Sequence, residues 1–136
     1  IEKYMELATQ LVSDGKTVIF TGTEEEGAKF RSQIPKLKSI IDSTGKLSLE
    51  QLMVLIQNAS NIVACSTGPL HIAASLGVNT VGLYVPRRPM HPGRWGAIGK
   101  RVNTLVFDEN CANCANQKDC SCITEIKVER ILKSLI

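Results

Sequence analysis

The chain has 136 residues, a net charge of +3, 43% hydrophobic residues and 21% charged residues. These are the values of an ordinary globular chain that is long enough for one buried core, and so mild a charge does not indicate a nucleic-acid partner. No apolar run approaches the ~20 residues of a membrane span. No signal peptide is recognised. Since the chain begins with Ile1 rather than Met and its first predicted helix starts at once, we expect a piece of a longer protein.

The hydrophobic pattern alternates between helix and strand along the whole chain. Amphipathic spacing predicts a first helix over residues 2–13, closed by Asp14 and Gly15, and then a buried strand. Two capping boxes, at residues 23–26 and 48–51, each predict the start of a further helix, and Pro35 ends the first of these two. Strands are predicted at residues 17–20, 39–41, 62–65, from 80 onward and 102–107, and a last helix at residues 124–136.

Strands that are continuous apolar runs and alternate with helices are typical of a parallel sheet covered on both faces. We therefore predict an α/β fold, a Rossmann-like three-layer domain with a parallel sheet of about five strands. Ligands bind such sheets outside the carboxyl ends of the strands.

The most informative strand end is the turn Ser66–Thr67–Gly68, which follows the apolar run 62–65. Pro69 suits the first turn of a helix, and Gly77 suits the position just past its end. Such a turn directs free backbone N–H groups and the positive end of a helix dipole at one point, which suits a phosphate or pyrophosphate. An ordinary βαβ connection without a ligand is the alternative.

His71 favours the ligand site over that alternative. Its side chain lies on the ligand side of the turn if the helix packs on the sheet through Ile72, Ala73 and Leu76. A structural histidine that is bonded to backbone is the other interpretation of this residue.

Two further strand ends carry polar groups. Thr21, Gly22 and Thr23 follow the first strand, where the glycine allows close approach and the hydroxyls face the site. Asp42 follows the second strand, where a carboxylate can accept both hydroxyls of a ribose. The alternatives are that Thr23 only caps its helix and that Asp42 is a solvated turn residue.

The segment 61–84 resembles the C-terminal half of glycosyltransferase family 9, the bacterial heptosyltransferases of lipopolysaccharide synthesis. The family shows a strand, then Asp-Thr-Gly-Pro-x-His-x-Ala-x-x-Leu-Gly, then Pro-Thr-Val-x-Leu, an aromatic residue and Gly-Pro. Residues 44–49 and the cysteine-bearing tail are also similar to the family, so the likeness extends from about Thr17 to the end. The matching residues of the main motif are Thr67, Gly68, Pro69, His71, Ala73, Leu76, Gly77, Thr80, Val81, Leu83, Tyr84 and Pro86.

The chain departs from the family motif at two positions. Ser66 stands where the family has Asp, and Val85 stands where it has Gly. In the family that Asp lies against the donor, close to its sugar and pyrophosphate. We therefore expect Ser66 to weaken binding of the usual donor sugar without destabilising the fold.

The resemblance implies the C-terminal half of a GT-B glycosyltransferase, with residues 1–136 as one domain that binds the nucleotide-sugar donor. The N-terminal acceptor domain, which holds the general base in this family, is absent from the chain, so this fragment would hold no catalytic residue and would be inactive alone. Together with the strand-end argument, the resemblance gives these donor-binding residues: Gly22, Thr23, Asp42, Ser66, Thr67, Gly68, Pro69, Leu70 and His71.

The reaction that the resemblance implies is inverting transfer of a sugar, often from ADP-heptose, to a lipopolysaccharide core or related glycan, with no essential metal and no required cofactor. The implied location is the bacterial cytoplasm, including the inner face of the inner membrane, with peripheral membrane association of the full-length protein.

The predicted loop at residues 86–100, called the basic loop below, carries Arg87, Arg88, His91 and Arg94. Arginines beside a pyrophosphate stabilise the charge that develops as a nucleotide leaves. We expect Arg87 and Arg88, with His71, to act in this way, and a solvated charge cluster is the alternative.

Four cysteines, Cys111, Cys114, Cys120 and Cys122, fall within one loop as C-x2-C-x5-C-x-C. Four thiolates at this density can hold a tetrahedral structural zinc, although the last spacing is tighter than in the usual knuckle. Free or redox-labile thiols are the second interpretation, and disulfides are the least favoured because no export signal indicates an oxidising compartment. Cys65, which ends a core strand, is expected to be a small buried apolar residue.

Two other functions fit the same residues. One is a nucleotide-sugar-binding module without transferase activity, with Ser66 as the mark of the loss. The other is a zinc-stabilised interaction domain that binds no nucleotide.

Overall fold

The structure is a computed structural model that describes all 136 residues. The chain divides into two compact units, residues 1–51 and 52–136. Both units hold parallel strands that alternate with helices, so the predicted α/β class is confirmed. The five strands form two sheets, of two and three strands, rather than one sheet of five.

The first unit begins with α1 (Glu2–Ser13) and continues through β1 (Val18–Phe20), α2 (Glu24–Phe30) and β2 (Ile40–Asp42). The predicted α1 boundaries are correct, and Gly15 adopts φ +75° just past its end. The predicted second helix is too long, because α2 ends at Phe30 and a short 3-10 helix follows. Ile34 is extended, as expected for a residue that precedes proline.

The two strands of the first unit pair in parallel, with Ile19 opposite Ile41. These two side chains are 37% and 44% exposed, so the predicted cover on both faces is absent here within the chain. Each residue lies between two less exposed neighbours. This alternation is that of a half-buried strand, because successive side chains point to opposite faces.

The second unit contains a three-stranded parallel sheet in the order β3 (Asn61–Cys65), β4 (Asn79–Tyr84) and β5 (Val102–Val106). The central strand β4 is buried along its whole length. Cys65, Leu83 and Leu105 lie side by side in the register, so β3 and β4 end close together at one edge.

The helices of the second unit are mostly short. Helix α3 (Leu49–Gln57) begins at the predicted capping box and ends within this unit, and α4 (Gly68–Ser75) connects β3 to β4. The predicted last helix at residues 124–136 is too long at both ends, because only residues 128–132 are helical. A turn in which the Thr124 N–H and hydroxyl both donate to Ser121 buries Ile126 before this helix. The remaining helices are α5 (Pro92–Trp95), α6 (Ala112–Ala115) and α7 (Val128–Leu132).

Helix α4 packs on the sheet through Leu70, Ala73 and Ala74, which are at most 3% exposed. Leu76, predicted to face the sheet, is instead 38% exposed because it is the C-cap residue, where the chain leaves the helix. Leu70 joins Tyr84 and Val106 in one hydrophobic cluster. Gly82 leaves room for this cluster, since a Cβ atom there would lie 2.5 Å from the Tyr84 ring.

Asparagine side chains hold the end of the chain at the opposite edge of this sheet. The Asn79 amide donates to Asn61 at 2.7 Å and to the Ser134 carbonyl at 2.8 Å, and Asn61 donates to the Ile136 carbonyl. These bonds satisfy buried polar groups, because Asn79 is only 4% exposed. None of the helices combines the length and the hydrophobicity that crossing a bilayer requires.

Candidate functional site

The turn after β3 has the geometry of an open helix N-terminus. Helix α4 begins at Gly68, with Pro69 in its first turn as predicted, and no side chain caps it. The Thr67 hydroxyl donates to the Cys65 carbonyl at 3.2 Å, and the Leu70 N–H turns back to the Thr67 carbonyl at 3.1 Å. Because the first N–H groups of a helix lack intrahelical acceptors, this end can receive an anion.

Gly68 has no conformational need to be glycine. Its φ is not in the left-handed region, and a Cβ atom built on it would meet nothing within 4 Å. The space in front of this residue is therefore open in the folded chain. A ligand that approaches the backbone closely would use that space.

A pocket of about 350 Å³ lies at the carboxyl ends of β3 and β4. Both positions at which the sequence departs from the family motif, Ser66 and Val85, line it. The pocket wall is mostly apolar, so the Ser66 hydroxyl is one of its few polar groups. The other lining residues are Cys65, Leu83, Tyr84, Met90, Trp95 and Ile123.

Tyr84 joins β4 to the basic loop. Its hydroxyl donates to the Trp95 carbonyl at 3.1 Å and accepts from the Ala97 N–H at 3.0 Å. Burial raises the pKa of Tyr84, which keeps the hydroxyl protonated and able to donate. Tyr84, which lines the pocket, thus anchors the basic loop.

The two arginines predicted to stabilise a leaving group have different surroundings. The Arg87 guanidinium is half-buried and donates to the Lys118 carbonyl, whereas the Arg88 side chain is exposed. The Arg88 carbonyl accepts from the Gln117 side-chain amide at 3.0 Å. Arg87 is therefore more than a solvated charge, since it connects the basic loop to the loop that bears the cysteines.

The two predicted donor-binding residues in the first turn of α4, Leu70 and His71, also have different surroundings. The Leu70 side chain is fully buried in the core, so only its backbone remains for a donor. His71 is half-buried in the first helical turn, and its imidazole forms no hydrogen bond within the chain. That absence disfavours the interpretation of His71 as a structural histidine bonded to backbone.

In the first unit, Thr23 forms the predicted capping box. Its hydroxyl accepts from the Glu26 N–H at 3.2 Å, and the Glu26 carboxylate accepts from the Thr23 N–H at 2.8 Å. Gly22 precedes it with φ +156°, and a Cβ atom there would lie 2.8 Å from the Glu26 carboxylate. The capping interpretation of Thr23 is confirmed, and its contact with a donor stays a prediction.

Asp42 is the last residue of β2 rather than the residue after it, and both of its carboxylate oxygens are engaged. One accepts from the Thr44 hydroxyl at 2.6 Å and the Thr44 N–H at 3.0 Å, and the other accepts from Arg31 at 2.7 Å. Arg31 also binds Glu24. The hydrogen bond from Thr44, with help from Arg31, lowers the pKa of Asp42 to about 2.

This arrangement differs from a solvated turn residue, because the side chain of Asp42 is only 16% exposed. The carboxylate organises the end of β2 through Thr44, whose side chain is fully buried. Ribose binding by Asp42 stays a prediction. A ribose would have to donate to carboxylate oxygens that already accept three hydrogen bonds.

The four clustered cysteines come together as one group. Their sulfur atoms all lie within 4.8 Å of one another, and Cys114 Sγ is 2.9 Å from Cys120 Sγ and 3.9 Å from Cys122 Sγ. No disulfide bond links the cysteines. Burial raises the pKa of Cys114 to about 11, and a hydrogen bond from the Cys114 thiol lowers the pKa of Cys120 to about 7.

Cys65 does not fit its prediction. It is partly exposed rather than buried, because β3 ends there at the mouth of the pocket.

The model of the family described as glycosyltransferase family 9 (heptosyltransferase) matches residues 1–123. The chain belongs to glycosyltransferase family 9. Lipopolysaccharide core heptosyltransferase OpsX of Haemophilus influenzae is 27% identical over 97% of this chain and 42% of its own length. Lipopolysaccharide heptosyltransferase 2 of Salmonella typhimurium is 32% identical over 63% of this chain and 26% of its own length.

Two solved structures have the same fold as this family 9 chain. ADP-heptose lps heptosyltransferase II of E. coli has a TM-score of 0.78 at 22% identity, over 97% of this chain and 39% of its own. The family 9 glycosyl transferase of Veillonella parvula has a TM-score of 0.82 at 20% identity, over 98% of this chain and 39% of its own. The fold is that of the GT-B glycosyltransferases, and the chain spans less than half the length of the relatives it matches.

Sequence reasoning placed the family 9 turn correctly but missed what surrounds it. The sequence identifies Tyr84 as a motif residue but does not reveal that it anchors the basic loop, and nothing in the sequence points to Gln117. Sequence reasoning also does not identify Arg31 and Thr44, which donate hydrogen bonds to the Asp42 carboxylate. A part of that network was visible in the sequence, because Thr44 two residues after Asp42 is typical of an Asx-type turn.

Proposed function

We propose that this chain is the donor-binding part of an inverting glycosyltransferase that transfers a sugar, of the heptose class, from a nucleoside diphosphate to a lipopolysaccharide core or a related glycan. Family membership supports the reaction class. The names of the relatives support the acceptor and the sugar, and the E. coli structure is described as an ADP-heptose enzyme.

The observation that carries the proposal is the open turn at residues 66–68. An uncapped helix of eight residues begins at Gly68, where the backbone faces open space, and the pocket that Ser66 lines lies at the same strand end. A diphosphate can accept N–H groups at the helix start while the rest of the donor occupies the pocket. These two features supply the two parts of a nucleotide-sugar site.

The basic loop carries positive charge and follows β4, the strand that pairs with β3. Tyr84 fixes the loop to β4, and Arg87 and Arg88 follow β4 by three and four residues. A cation held beside the diphosphate would stabilise the charge that builds up as the nucleotide leaves. His71, in the first turn of α4, is the further candidate for this role.

The remaining predicted contacts belong to the first unit. Gly22 and Thr23 follow the carboxyl end of β1, and Asp42 is the last residue of β2; open parallel sheets bind their ligands at such ends. We propose a donor contact for these three residues on the strength of their strand ends and the family resemblance alone, with the general base and the acceptor site in an N-terminal domain outside this chain. Residues 1–136 would act as one donor-binding domain in the bacterial cytoplasm, with the full-length protein peripheral to the inner membrane.

A second candidate function is a nucleotide-sugar-binding module without transferase activity. The observation that favours it is Ser66, which replaces the family's acidic residue and lines the pocket. A neutral hydroxyl supplies neither the charge nor the second acceptor oxygen of a carboxylate.

Calorimetric titration of the chain with ADP and UDP tests the proposal. We expect weak binding that Gly68→Val abolishes, because the added side chain fills the open space before the helix. Lys133→Ala, an exposed change in the last turn of the chain, is the control and should keep the affinity. Absence of any binding up to millimolar nucleotide would contradict the proposal, and so would equal affinities of Gly68→Val and wild type.

A further inference from the structure

The segment that bears the four clustered cysteines, residues 107–122, has almost no hydrophobic core. Every residue in this cysteine segment is exposed except the cysteines: Cys114 and Cys122 are buried, and Cys111 and Cys120 are half-buried. Its only helix, α6, has four residues. A segment of this composition buries too little apolar surface to fix one conformation unaided, so its order must come from the cysteines.

The four sulfur atoms are grouped closely enough to surround one tetrahedral ion. Four thiolates at about 2.3 Å from a zinc ion lie about 3.8 Å from one another. All four Sγ atoms of the cluster lie within 4.8 Å of one another, and Cys114 Sγ lies 3.9 Å from Cys122 Sγ. Cys114 Sγ and Cys120 Sγ are closer, at 2.9 Å, so this pair moves apart when an ion binds between the sulfurs. Two disulfides would need the sulfurs only in pairs, whereas a single ion needs all four around one point.

Backbone N–H groups of the same segment support two of the sulfurs. The Cys111 sulfur accepts N–H groups from Asn113 and Cys114, and the Cys120 sulfur accepts the N–H of Cys122. Hydrogen bonds of this kind orient metal-binding thiolates and spread their charge. An iron–sulfur cluster fits less well, because its four thiolates are divided over two or four irons, so some of the sulfurs must lie further apart than around a single ion.

The cysteine segment in turn holds the basic loop. The Arg87 guanidinium donates to the carbonyl of Lys118, which lies between Cys114 and Cys120 in the chain. The Gln117 side-chain amide donates to the Arg88 carbonyl at 3.0 Å, and Ile123, directly after the last cysteine, lines the pocket. An ion in the cysteine cluster would therefore also order the pocket wall.

We propose that Cys111, Cys114, Cys120 and Cys122 bind one Zn²⁺ ion, and that this ion keeps the cysteine segment in the position from which it holds Arg87 and Arg88. The ion is structural, since four protein sulfurs leave no coordination position open for a substrate. Binding releases the thiol protons, so affinity falls as the pH is lowered.

Elemental analysis of the chain, purified under reducing conditions without chelator, should give about one zinc per chain. Cys114→Ser should lose the zinc, whereas the matched control Cys65→Ser should keep it. Because Cys114→Ser could fail to fold, the wild-type protein is also refolded with Co²⁺, which should give the intense thiolate-to-metal absorption of a tetrahedral sulfur site. A folded, zinc-free chain with four reduced cysteines, a disulfide within the cluster, or iron in place of zinc would overturn the proposal.

Hydrogen exchange tests the second half of the proposal. Removal of the ion by chelation should speed amide exchange at least about tenfold in residues 107–122 and in the basic loop, and leave β3 unchanged. Unchanged exchange in the basic loop would show that the ion does not position it. Both measurements are made without nucleotide, so their outcome is independent of whether the chain binds a donor.

Discussion

The hydroxyl of Tyr84 accepts a hydrogen bond from the backbone N–H of Ala97 at 3.0 Å, and this bond joins the buried end of β4 to the basic loop. The same hydroxyl donates to the Trp95 carbonyl. One phenol thus satisfies two backbone groups of the basic loop. The position of the pocket wall at Trp95 depends on this contact.

Tyr84→Phe should therefore destabilise the chain by about 1–3 kcal/mol, because it leaves two partly buried backbone groups without their partner. We also expect faster amide exchange in the basic loop and weaker nucleotide binding. Chemical denaturation, hydrogen exchange and calorimetry measure these three effects.

Asn79→Ala is the matched control for Tyr84→Phe. It also removes buried hydrogen bonds, but at the opposite edge of the same sheet. It should lower the free energy of unfolding by a similar amount without changing exchange in the basic loop. If both variants loosened the loop equally, the assigned role of Tyr84 would be wrong.

Two glycines of the second unit should respond in opposite ways to alanine. Gly82→Ala places a methyl group 2.5 Å from the Tyr84 ring and 3.0 Å from Leu70, so it should cost about 1–3 kcal/mol of stability. Gly68→Ala meets nothing within 4 Å and should change stability by less than about 0.5 kcal/mol while it weakens ADP binding. Denaturation and calorimetry on both variants test the pair. A Gly68→Ala variant with wild-type affinity would show that the open space is not used by the ligand.

The stability that Asp42 contributes should depend on pH. Its folded-state pKa of about 2 lies below its ordinary value of 3.8, so folding favours the ionised form. The contribution is therefore complete above the ordinary pKa and is lost as the pH falls from about 4 to about 2.

The difference in unfolding free energy between wild type and Asp42→Asn measures this contribution. It should be constant near neutral pH and should shrink across that acidic range. Asp14→Asn removes an exposed carboxylate outside the Asp42 network and serves as the control. A difference that stays the same down to the lowest accessible pH would contradict the assignment.

The local order of elements could be predicted from the sequence because each signal is local. The boundaries of α1, the capping box at Thr23 and the start of α4 at Gly68 all depend on residues within one helical turn. The grouping of the strands into two sheets could not be predicted in this way. It depends on pairing between distant segments, and such pairing leaves no trace in a short window of sequence.

The same distinction holds for the candidate site. The turn at residues 66–68 is a local motif and was recognised, whereas the contacts of Arg87 with Lys118 and of Gln117 with Arg88 join residues that are about 30 positions apart. The exposure of Cys65 and Leu76 was mispredicted for a related reason. Apolar periodicity does not reveal where an element ends, and both residues lie at such ends.

Ser66→Asp should change donor use in the full-length protein. The serine lines the pocket, and its replacement restores the acidic residue of the family motif. A hydrogen bond to a charged group is stronger than a neutral one by roughly 1 kcal/mol. If the natural donor is the common heptose nucleotide, the variant should bind it more tightly or turn it over faster.

If the natural donor is a different sugar, Ser66→Asp should leave activity with that sugar equal or lower. Turnover of both forms against a panel of nucleotide sugars separates these cases. The same activity profile for both proteins would show that this position does not contact the donor.

The central claim is that the backbone at the start of α4 binds the diphosphate of a nucleotide. Titration of the isotope-labelled chain with ADP, followed residue by residue in amide NMR spectra, tests it most directly. We predict that the largest shifts occur at Ser66, Thr67 and Gly68, and that inorganic pyrophosphate reproduces them while adenosine does not. Saturating shifts confined to other parts of the chain, or none at these three amides at millimolar ADP, would contradict the claim.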